Sequence, residues 1–346
     1  MTHLSNIFLP FALLFSTLLI GQHQISLPLV YNCRFTETEI QVDGKMDLTW
    51  NTTEWSSSFT DIEGDTQPAP YLETKFKMLW SEKYLYVFVW MEEPHVWATL
   101  VNHDDIVYRD NDFEVFIDPD GDTHNYMEIE VNAHNTILDL FLPKPYREGG
   151  PLQMQWTAEG LSSAIGIQGS LNDPNHKDTS WCVEMAIPFS SLNSMPSMGD
   201  HWRMNFSRVQ YESVINDNRY SKQKDSTNRF LPEHNWVWSP QGIINMHYPE
   251  KWGYVFFTDS GAKQESKYPE DAPVRLALYE LYYQQKVHFK NNGSYTSNIP
   301  ETITVLGEHV KLIVDEIEKS SFLFKVAWNR HYVHLRQDGK IWLSEL

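Results

Sequence analysis

Two short segments of alternating hydrophobic and polar residues, joined by a turn, constrain the fold more than any other part of the sequence. In residues 112–118 and 127–132 every second residue is hydrophobic, and Pro119-Asp-Gly between them is typical of a turn. Because side chains alternate between the two faces of a strand, the pattern predicts an antiparallel hairpin with one buried face. The residues expected on that face are Phe113, Val115, Ile117, Met127, Ile129 and Val131.

Further segments of the same kind indicate the fold class. Residues 84–91 are apolar on both faces, which predicts a central strand between two layers. Alternating runs follow at 181–187 and 202–209, and a last strand is predicted at 254–257. Since no long helical pattern interrupts them, residues 40–258 are predicted to form an all-β domain, an antiparallel β-sandwich of the jelly-roll or immunoglobulin-like type.

The composition changes after Thr258, which indicates a separate C-terminal part. Residues 259–272 read as a linker. Residues 273–290 have Leu276, Tyr279, Tyr283 and Val287 at helical spacing, and the following Asn-Asn-Gly predicts the end of the helix. Hairpin strands are predicted at 322–328, 332–335 and 341–343. Residues 273–346 are therefore expected to form a small α+β appendage that can be removed without unfolding the sandwich.

The N-terminal segment is typical of an export signal. Residues 7–20 are almost continuously apolar, but this run is shorter than the roughly 20 residues that a spanning helix needs. We expect a signal peptide at 1–21, a lead at 22–39, and a periplasmic or extracellular protein; an uncleaved anchor is the alternative. The two cysteines, Cys33 and Cys182, could form one disulfide or remain free thiols.

Composition narrows the classes of ligand. The formal net charge of −19 argues against nucleic acid, because binding to phosphates depends on Lys and Arg. An acidic chain fits a neutral sugar or bound divalent cations, and it fits simple solubility as well. The thirteen tryptophans exceed what a core of this size requires, which indicates that some rings stack on a ligand.

The polar face of the predicted hairpin is the candidate site. Carboxylates, amides and an arginine together suit sugar hydroxyls, which both donate and accept hydrogen bonds. An ordinary solvated sheet face is the alternative. Alternation places on this face, from the hairpin and from the strand at 202–209, the side chains of Asp112, Glu114, Glu128, Glu130, Asn132, Arg203, Asn205 and Ser207.

The order of these segments resembles that of family 9 carbohydrate-binding modules. The resemblance extends from about Ile40 to Thr258 and implies a β-sandwich that binds sugar between aromatic rings, often with structural calcium. The segments that carry it are Ile40–Asp47 with Trp50, Leu79-Trp80 with Tyr84–Val87, Asn111–Asp118, Trp181–Pro188 and Trp252–Phe256.

The resemblance also assigns roles to single residues. Glu114 lies where the family has a carboxylate that contacts sugar, and Asn132 lies where it has a contacting amide. Tyr108 is near the position of the first of two tryptophans that clamp the sugar, and Glu130 occupies the position of an arginine. The second clamp tryptophan has no clear counterpart, since residues 245–248 occupy its region, and the aromatic residues that could replace it are Trp238 and Tyr248.

The turn after the first of the two alternating segments is a candidate metal site. Asp118, Asp120 and Asp122 stand at alternate positions, which suits a hard cation such as Ca²⁺ with oxygen ligands. A tight turn without a metal ion is the alternative.

The sequence thus predicts an exported module that binds a mono- or oligosaccharide without catalytic residues of its own. Its expected context is polysaccharide catabolism, with a polysaccharide-degrading enzyme as a partner. One alternative is a glycoside hydrolase that uses two of the carboxylates Glu114, Glu128 and Glu130. The others are a haem-binding sandwich, for which Met246-His247 and His124 are available, and a structural module without a ligand.

Overall fold

The structure is a computed structural model that describes residues 27–261 and 267–346. The predicted signal peptide lies outside these residues, as do residues 22–26 of the lead and residues 262–266 of the linker. Within the two described ranges, no helix is both long and apolar enough to span a bilayer.

The N-terminal part consists of strands connected by loops and short 3₁₀ turns. Its strands are β1 (Val30–Phe35), β2 (Thr60–Asp61), β3 (Thr74–Trp80), β4 (Tyr84–Glu92), β5 (Asp112–Asp118), β6 (Tyr126–Asn132), β7 (Ile137–Leu142), β8 (Ser162–Gln168), β9 (Ser180–Pro188), β10 (His201–Gln210), β11 (Ser213–Asn216), β12 (Arg219–Lys222), β13 (His234–Val237) and β14 (Gly253–Thr258). The 3₁₀ turns are Leu48–Thr52, Gly64–Thr66, Val107–Arg109, Tyr146–Glu148 and Pro249–Lys251.

These strands form a β-sandwich, as predicted. Hydrogen bonding runs in the order β7-β6-β5-β10-β14-β1-β3-β4-β9-β8, with β13 beside β10 and β2 beside β13. Residues of β5 and β6 and residues of β4 and β9 belong to one hydrophobic core, so the two halves of this path face each other. β1 joins the halves and pairs in parallel with both β14 and β3. The sandwich is therefore not wholly antiparallel, and it begins before residue 40.

The predicted register of the hairpin is confirmed. Val115 pairs with Ile129 and Phe113 with Val131 across β5 and β6, and all six residues expected in the core are buried. The opposite face is not solvated, however. Glu114 is 5% exposed and Glu130 is 2% exposed, because loops cover this face. The ordinary solvated sheet face that was the alternative is thus excluded.

The two cysteines are free thiols. Cys33 is buried in the sandwich core, and burial raises the pKa of its thiol well above the usual value. The Cys182 sulfur lies 3.1 Å from the carbonyl oxygen of Gly44. The disulfide alternative is therefore wrong for this structure.

The C-terminal part is one helix on a five-stranded antiparallel sheet. The predicted helix and hairpin strands are present, while the first two strands of the sheet were not predicted. The helix ends at Asn292 and is capped by Gly293, which has a left-handed φ of 68°. The elements are α1 (Ala272–Asn292), β15 (Thr302–Val305), β16 (Glu308–Ile317), β17 (Phe322–Trp328), β18 (His331–Arg336) and β19 (Ile341–Glu345).

The predicted hydrophobic stripe of α1 is only partly correct. Tyr279 is buried, but Val287 is 61% exposed. The helix face that contacts the sheet is centred instead on Leu278 and Tyr282, which belong to the same core as Phe324. Polar Gln285 continues this face, since its side chain bonds the backbone of Thr296.

The tail packs on the sandwich through polar contacts. Arg275 donates to the carbonyl oxygen of Gly121 over 2.9 Å, and the Thr123 hydroxyl donates to the carbonyl oxygen of Gly339 over 3.0 Å. Two tyrosines of α1 donate hydrogen bonds to carboxylates of the sandwich: Tyr282 to Glu148 and Tyr283 to Glu250. The tail is thus docked on the sandwich. That it can be removed without unfolding the sandwich stays a prediction.

Candidate functional site

The predicted polar face of β5 and β6 forms the floor of a cavity of about 440 Å³. Strand register places Glu114 opposite Glu130 and Phe116 opposite Glu128. Apolar side chains of β7 and of the covering loops form the walls. The cavity is lined by Ile106, Tyr108, Glu114, Phe116, Glu128, Glu130, Leu138, Leu140, Tyr146, Leu152, Met154, Asn245, Met246 and His247.

Tyr108 holds an aromatic ring at the rim of the cavity. Its backbone N–H donates to Glu130 Oε2 over 2.9 Å, and its carbonyl oxygen accepts from the Tyr211 hydroxyl over 3.0 Å. These two bonds fix the backbone of the 3₁₀ turn, while the ring remains 42% exposed. The turn thus presents a preformed apolar face to the cavity.

Tyr146 is a second aromatic residue of the cavity, and the sequence did not single it out. It begins the 3₁₀ turn after β7 and is 36% exposed. Its ring lies 4.1 Å from that of His247, centroid to centroid. In the sequence it stands in a segment rich in proline and glycine, which indicates a loop. Such a segment has no periodicity that would show which way a side chain points.

His247 lies in the segment 245–248, which occupies the region of the missing clamp residue. Its Nδ1 lies 2.9 Å from the Tyr126 hydroxyl, and its Nε2 lies 3.9 Å from Glu128 Oε2. Burial, with a smaller effect of Arg147, lowers the pKa of His247 to about 3. The imidazole is therefore neutral at neutral pH and does not neutralise Glu128.

The carboxyl groups on the polar face of β5 and β6 are buried and incompletely hydrogen-bonded, and Asp112 among them does not line the cavity. Both oxygens of Asp112, Glu114 Oε2 and Glu128 Oε2 have no hydrogen-bond partner among the described residues. Burial raises the pKa of Glu114 to about 7. Burial and then repulsion from neighbouring carboxylates raise the pKa values of Asp112, Glu128 and Glu130 well above their usual range. An incoming hydrogen-bond donor or cation would satisfy these oxygens.

Asn132 does not line the cavity, because the protein uses its amide for structure. Its Nδ2 donates to the carbonyl oxygen of Leu100 and to Asp110 Oδ2. Its Oδ1 accepts from the backbone N–H groups of His134 and Thr136. The amide therefore holds the loop before β5 and the turn after β6.

Arg203 and Asn205 are also occupied elsewhere. The Arg203 guanidinium donates to the carbonyl oxygens of Glu250 and Trp252, and it lies 4.1 Å from the ring centroid of Tyr254. The Asn205 amide exchanges hydrogen bonds with the backbone of Ser239. Both fix the segment before β14, so neither is available to a ligand in the cavity.

Trp238 is not the second clamp residue, and that prediction is wrong. Its ring is 1% exposed and contacts Phe76 and Phe206 in the sandwich core. Gly253 lies so close that a Cβ there would be 2.1 Å from a ring carbon. Tyr248 does not line the cavity either. Its ring lies 4.0 Å from the Arg147 guanidinium.

The turn with three aspartates has the spacing of a cation site, but protein donors already occupy it. Oxygens of Asp118, Asp120 and Asp122 lie within 4.8 Å of one another. Asp118 accepts from the N–H groups of Gly121 and Thr123, and Asp122 Oδ2 lies 2.7 Å from the Nζ of Lys340. A calcium ion would thus have to displace the Lys340 ammonium group from Asp122.

The possible haem ligands Met246, His247 and His124 do not form one site. Met246 and His247 line the cavity, but the Met246 sulfur accepts from Gln241 Nε2 over 3.1 Å. His124 lies at the contact with the tail, where its Nε2 is 3.2 Å from Asp338 Oδ2. Each side chain that a haem iron would need already has a protein partner.

Comparison with known proteins identifies the family. Residues 42–239, more than half of the chain, match the family model described as carbohydrate family 9 binding domain-like. The chain belongs to this family. The resemblance stated from the sequence is confirmed, and the match covers β2 to β13 and the whole floor of the cavity.

The chain is also similar to parts of two larger proteins. It is 28% identical over 158 residues to endo-1,4-β-xylanase A of Thermoanaerobacterium saccharolyticum, which covers 46% of this chain and 11% of that protein. It is 27% identical over 154 residues to exoglucanase XynX of Acetivibrio thermocellus, with 44% of this chain and 12% of that protein covered. This chain therefore matches only a small part of each relative.

One solved structure shares the fold. A candidate carbohydrate-binding protein from Bacteroides uniformis superimposes with a TM-score of 0.51 at 19% sequence identity. The superposition covers 66% of this chain and 99% of that one. At this identity the similarity concerns the sandwich and not the ligand.

Proposed function

We propose that this chain binds carbohydrate in the cavity above β5 and β6. Membership in a family of carbohydrate-binding domains supports this function, and the cavity supports this location of the binding site. Its volume of about 440 Å³ lies in the range of small-molecule sites, about 300–1,000 Å³. The observation that carries the proposal is the combination of exposed rings on the rim with unpartnered carboxyl oxygens on the floor.

Each part of the cavity would contact a different part of a sugar. The rings of Tyr108 and Tyr146 offer apolar faces for the C–H faces of a pyranose. Glu114 Oε2 and Glu128 Oε2 lack partners among the described residues and would accept hydrogen bonds from hydroxyl groups. Each such hydrogen bond contributes about 0.5–1.5 kcal/mol, or about 1.5–3 kcal/mol where the carboxyl group is ionised, so these contacts would fix the orientation of the ring.

The sugar and the context are taken from the relatives. Because they are named a β-1,4-xylanase and an exoglucanase, we propose xylan or glucan oligosaccharides as ligands. The chain would then act outside the cytoplasm, alongside a polysaccharide-degrading enzyme. The apolar segment at 7–20 supports export.

Calorimetry with xylo- and cello-oligosaccharides tests this proposal. Tyr108→Ala and Tyr146→Ala should each weaken binding by about tenfold to hundredfold, because each removes an apolar contact worth about 1.5–3 kcal/mol. The matched control is Phe230→Ala, since Phe230 is 61% exposed and does not line the cavity. Absence of binding by the wild type to every sugar would contradict the function. Equal binding by all variants would contradict the site.

A glycoside hydrolase is the second candidate, and one observation favours it. The pKa of Glu114 is raised to about 7, as a general acid requires, and a second carboxyl group, Glu130, lies opposite it. Release of reducing ends from the same oligosaccharides, lost in Glu114→Gln, would support hydrolysis. Binding without any release would leave the chain a binding module.

A further inference from the structure

Three carboxyl groups on the polar face of β5 and β6, two of which line the cavity, share one small volume. Asp112, Glu114 and Glu130 each place an oxygen within 4.8 Å of the others, and all three side chains are buried. Opposite ligands of a Ca²⁺ ion bound at 2.3–2.6 Å lie about 5 Å apart. The spacing of the three carboxyl groups is therefore that of ligands around a single ion.

No positively charged side chain of the described residues forms an ion pair with this cluster. Among the described residues, none of the three carboxyl groups has an ion pair with a lysine, arginine or histidine within 4.0 Å, and the nearby His247 approaches Glu128 instead. Burial raises the pKa values of all three groups, as expected for carboxylates that lack a neutralising partner. A buried, uncompensated group of this kind is costly unless a ligand pairs with it.

The unused oxygen atoms point to a ligand. Asp112 is fully buried, and neither of its oxygens has a hydrogen-bond partner within the described ranges; the same holds for Glu114 Oε2. Ser207 lies directly opposite Glu114 in the pairing of β10 with β5. Its hydroxyl is likewise buried and faces the Glu114 carboxyl group. The cluster thus offers neutral as well as charged oxygen ligands.

We propose that Asp112, Glu114 and Glu130 bind one divalent cation, Ca²⁺, with the hydroxyl of Ser207 as a neutral ligand. An all-oxygen ligand set without histidine or cysteine selects Ca²⁺ over Zn²⁺. The cation enters from the cavity, because Glu114 and Glu130 line it. This site is separate from the turn that contains Asp120. Glu114 belongs both to this site and to the proposed sugar site, so calcium binding is tested without sugar and either proposal can fail alone.

Calcium titration in the absence of sugar tests the proposal. The full chain, freed of metal with a chelator, is titrated with CaCl₂ by calorimetry, and the thermal midpoint is measured with and without Ca²⁺. All measurements use an Asp120→Asn background, which weakens any binding in the turn. In this background one Ca²⁺ should bind and raise the midpoint. Adding Asp112→Asn or Glu130→Gln should weaken that binding at least tenfold and remove the rise.

The two substitutions keep the volume of the side chain and remove a buried charge. They are therefore expected to fold, with midpoints in chelator no lower than that of the background, and near-ultraviolet circular dichroism checks this. Having two variants keeps the test decisive if one of them misfolds. The proposal is wrong if the background binds no Ca²⁺ at millimolar concentration. It is also wrong if a folded Asp112→Asn or Glu130→Gln variant binds Ca²⁺ as tightly as the background.

Discussion

Lys340, in the turn between the last two strands of the tail, lies with its Nζ 2.7 Å from Oδ2 of Asp122 in the turn between β5 and β6. The lysine side chain is 28% exposed and the aspartate side chain is 10% exposed. The tail thus places a positive charge in the turn where the sequence predicts calcium. A calcium ion in this turn would have to compete with Lys340 for the same carboxylate, so calcium binding there would depend on the tail.

We expect Lys340→Met to tighten calcium binding in this turn. The substitution keeps an unbranched side chain of similar length but removes the ammonium group, so Asp122 Oδ2 becomes free to bind a cation. Calorimetric titration in an Asp112→Asn background isolates this turn from the cavity floor. Calcium binding that is no tighter in Lys340→Met than in the parent would show that the lysine does not compete.

Arg147 is expected to be important for stability. Its guanidinium binds both oxygens of Glu250 at 2.8 Å, and the Glu250 side chain is 1% exposed. Arg147→Met leaves that carboxylate buried without its positive partner, which typically costs about 3–5 kcal/mol. Urea unfolding measures the change. The matched control is Lys45→Met, because its pair with Asp43 is exposed and such pairs contribute about 1 kcal/mol or less. Similar losses in both variants would contradict this prediction.

The sandwich could be predicted because its core residues alternate within single strands. The alternation of hydrophobic and polar residues is enough to predict that Val115 and Ile129 are buried. β1 shows no such signal, since its parallel pairing with β14 joins residues more than 200 positions apart. Val287 was misplaced on α1 because helical spacing does not tell which side a sheet will cover.

The site was harder to predict than the fold. Glu114 and Glu130 followed from strand register, which sequence alternation determines. Tyr146 and His247 come from loops without periodicity, and only the folded chain brings them to the cavity. Trp238 was misassigned because a tryptophan in the sequence does not reveal whether its ring faces the core or a ligand.

Removal of the tail should leave a folded but less stable sandwich. No residue of the tail belongs to the core shared by β4, β5, β6 and β9, so a chain that ends at Gly261 keeps that core. Glu148 and Glu250 would lose their tyrosine partners in α1, which should lower the thermal midpoint. Circular dichroism melting compares the two chains. Aggregation or loss of cooperative melting in the shorter chain would show that sandwich and tail fold as one unit.

His247 should make stability depend on pH in a defined direction. Its pKa is about 3 in the folded protein and about 6.5 in an unfolded chain. Between these values the unfolded chain binds a proton that the folded protein does not bind, so the contribution of His247 is complete above pH 6.5 and is lost as pH falls toward 3. The nearby carboxyl groups with raised pKa values act in the opposite direction.

The informative quantity is therefore the difference in the free energy of unfolding between the wild type and His247→Asn. Urea unfolding at pH 7, 6, 5 and 4 should show the wild type losing up to about 1.4 kcal/mol per pH unit relative to the variant. A difference that stays constant over this range would mean that His247 titrates normally in the folded protein.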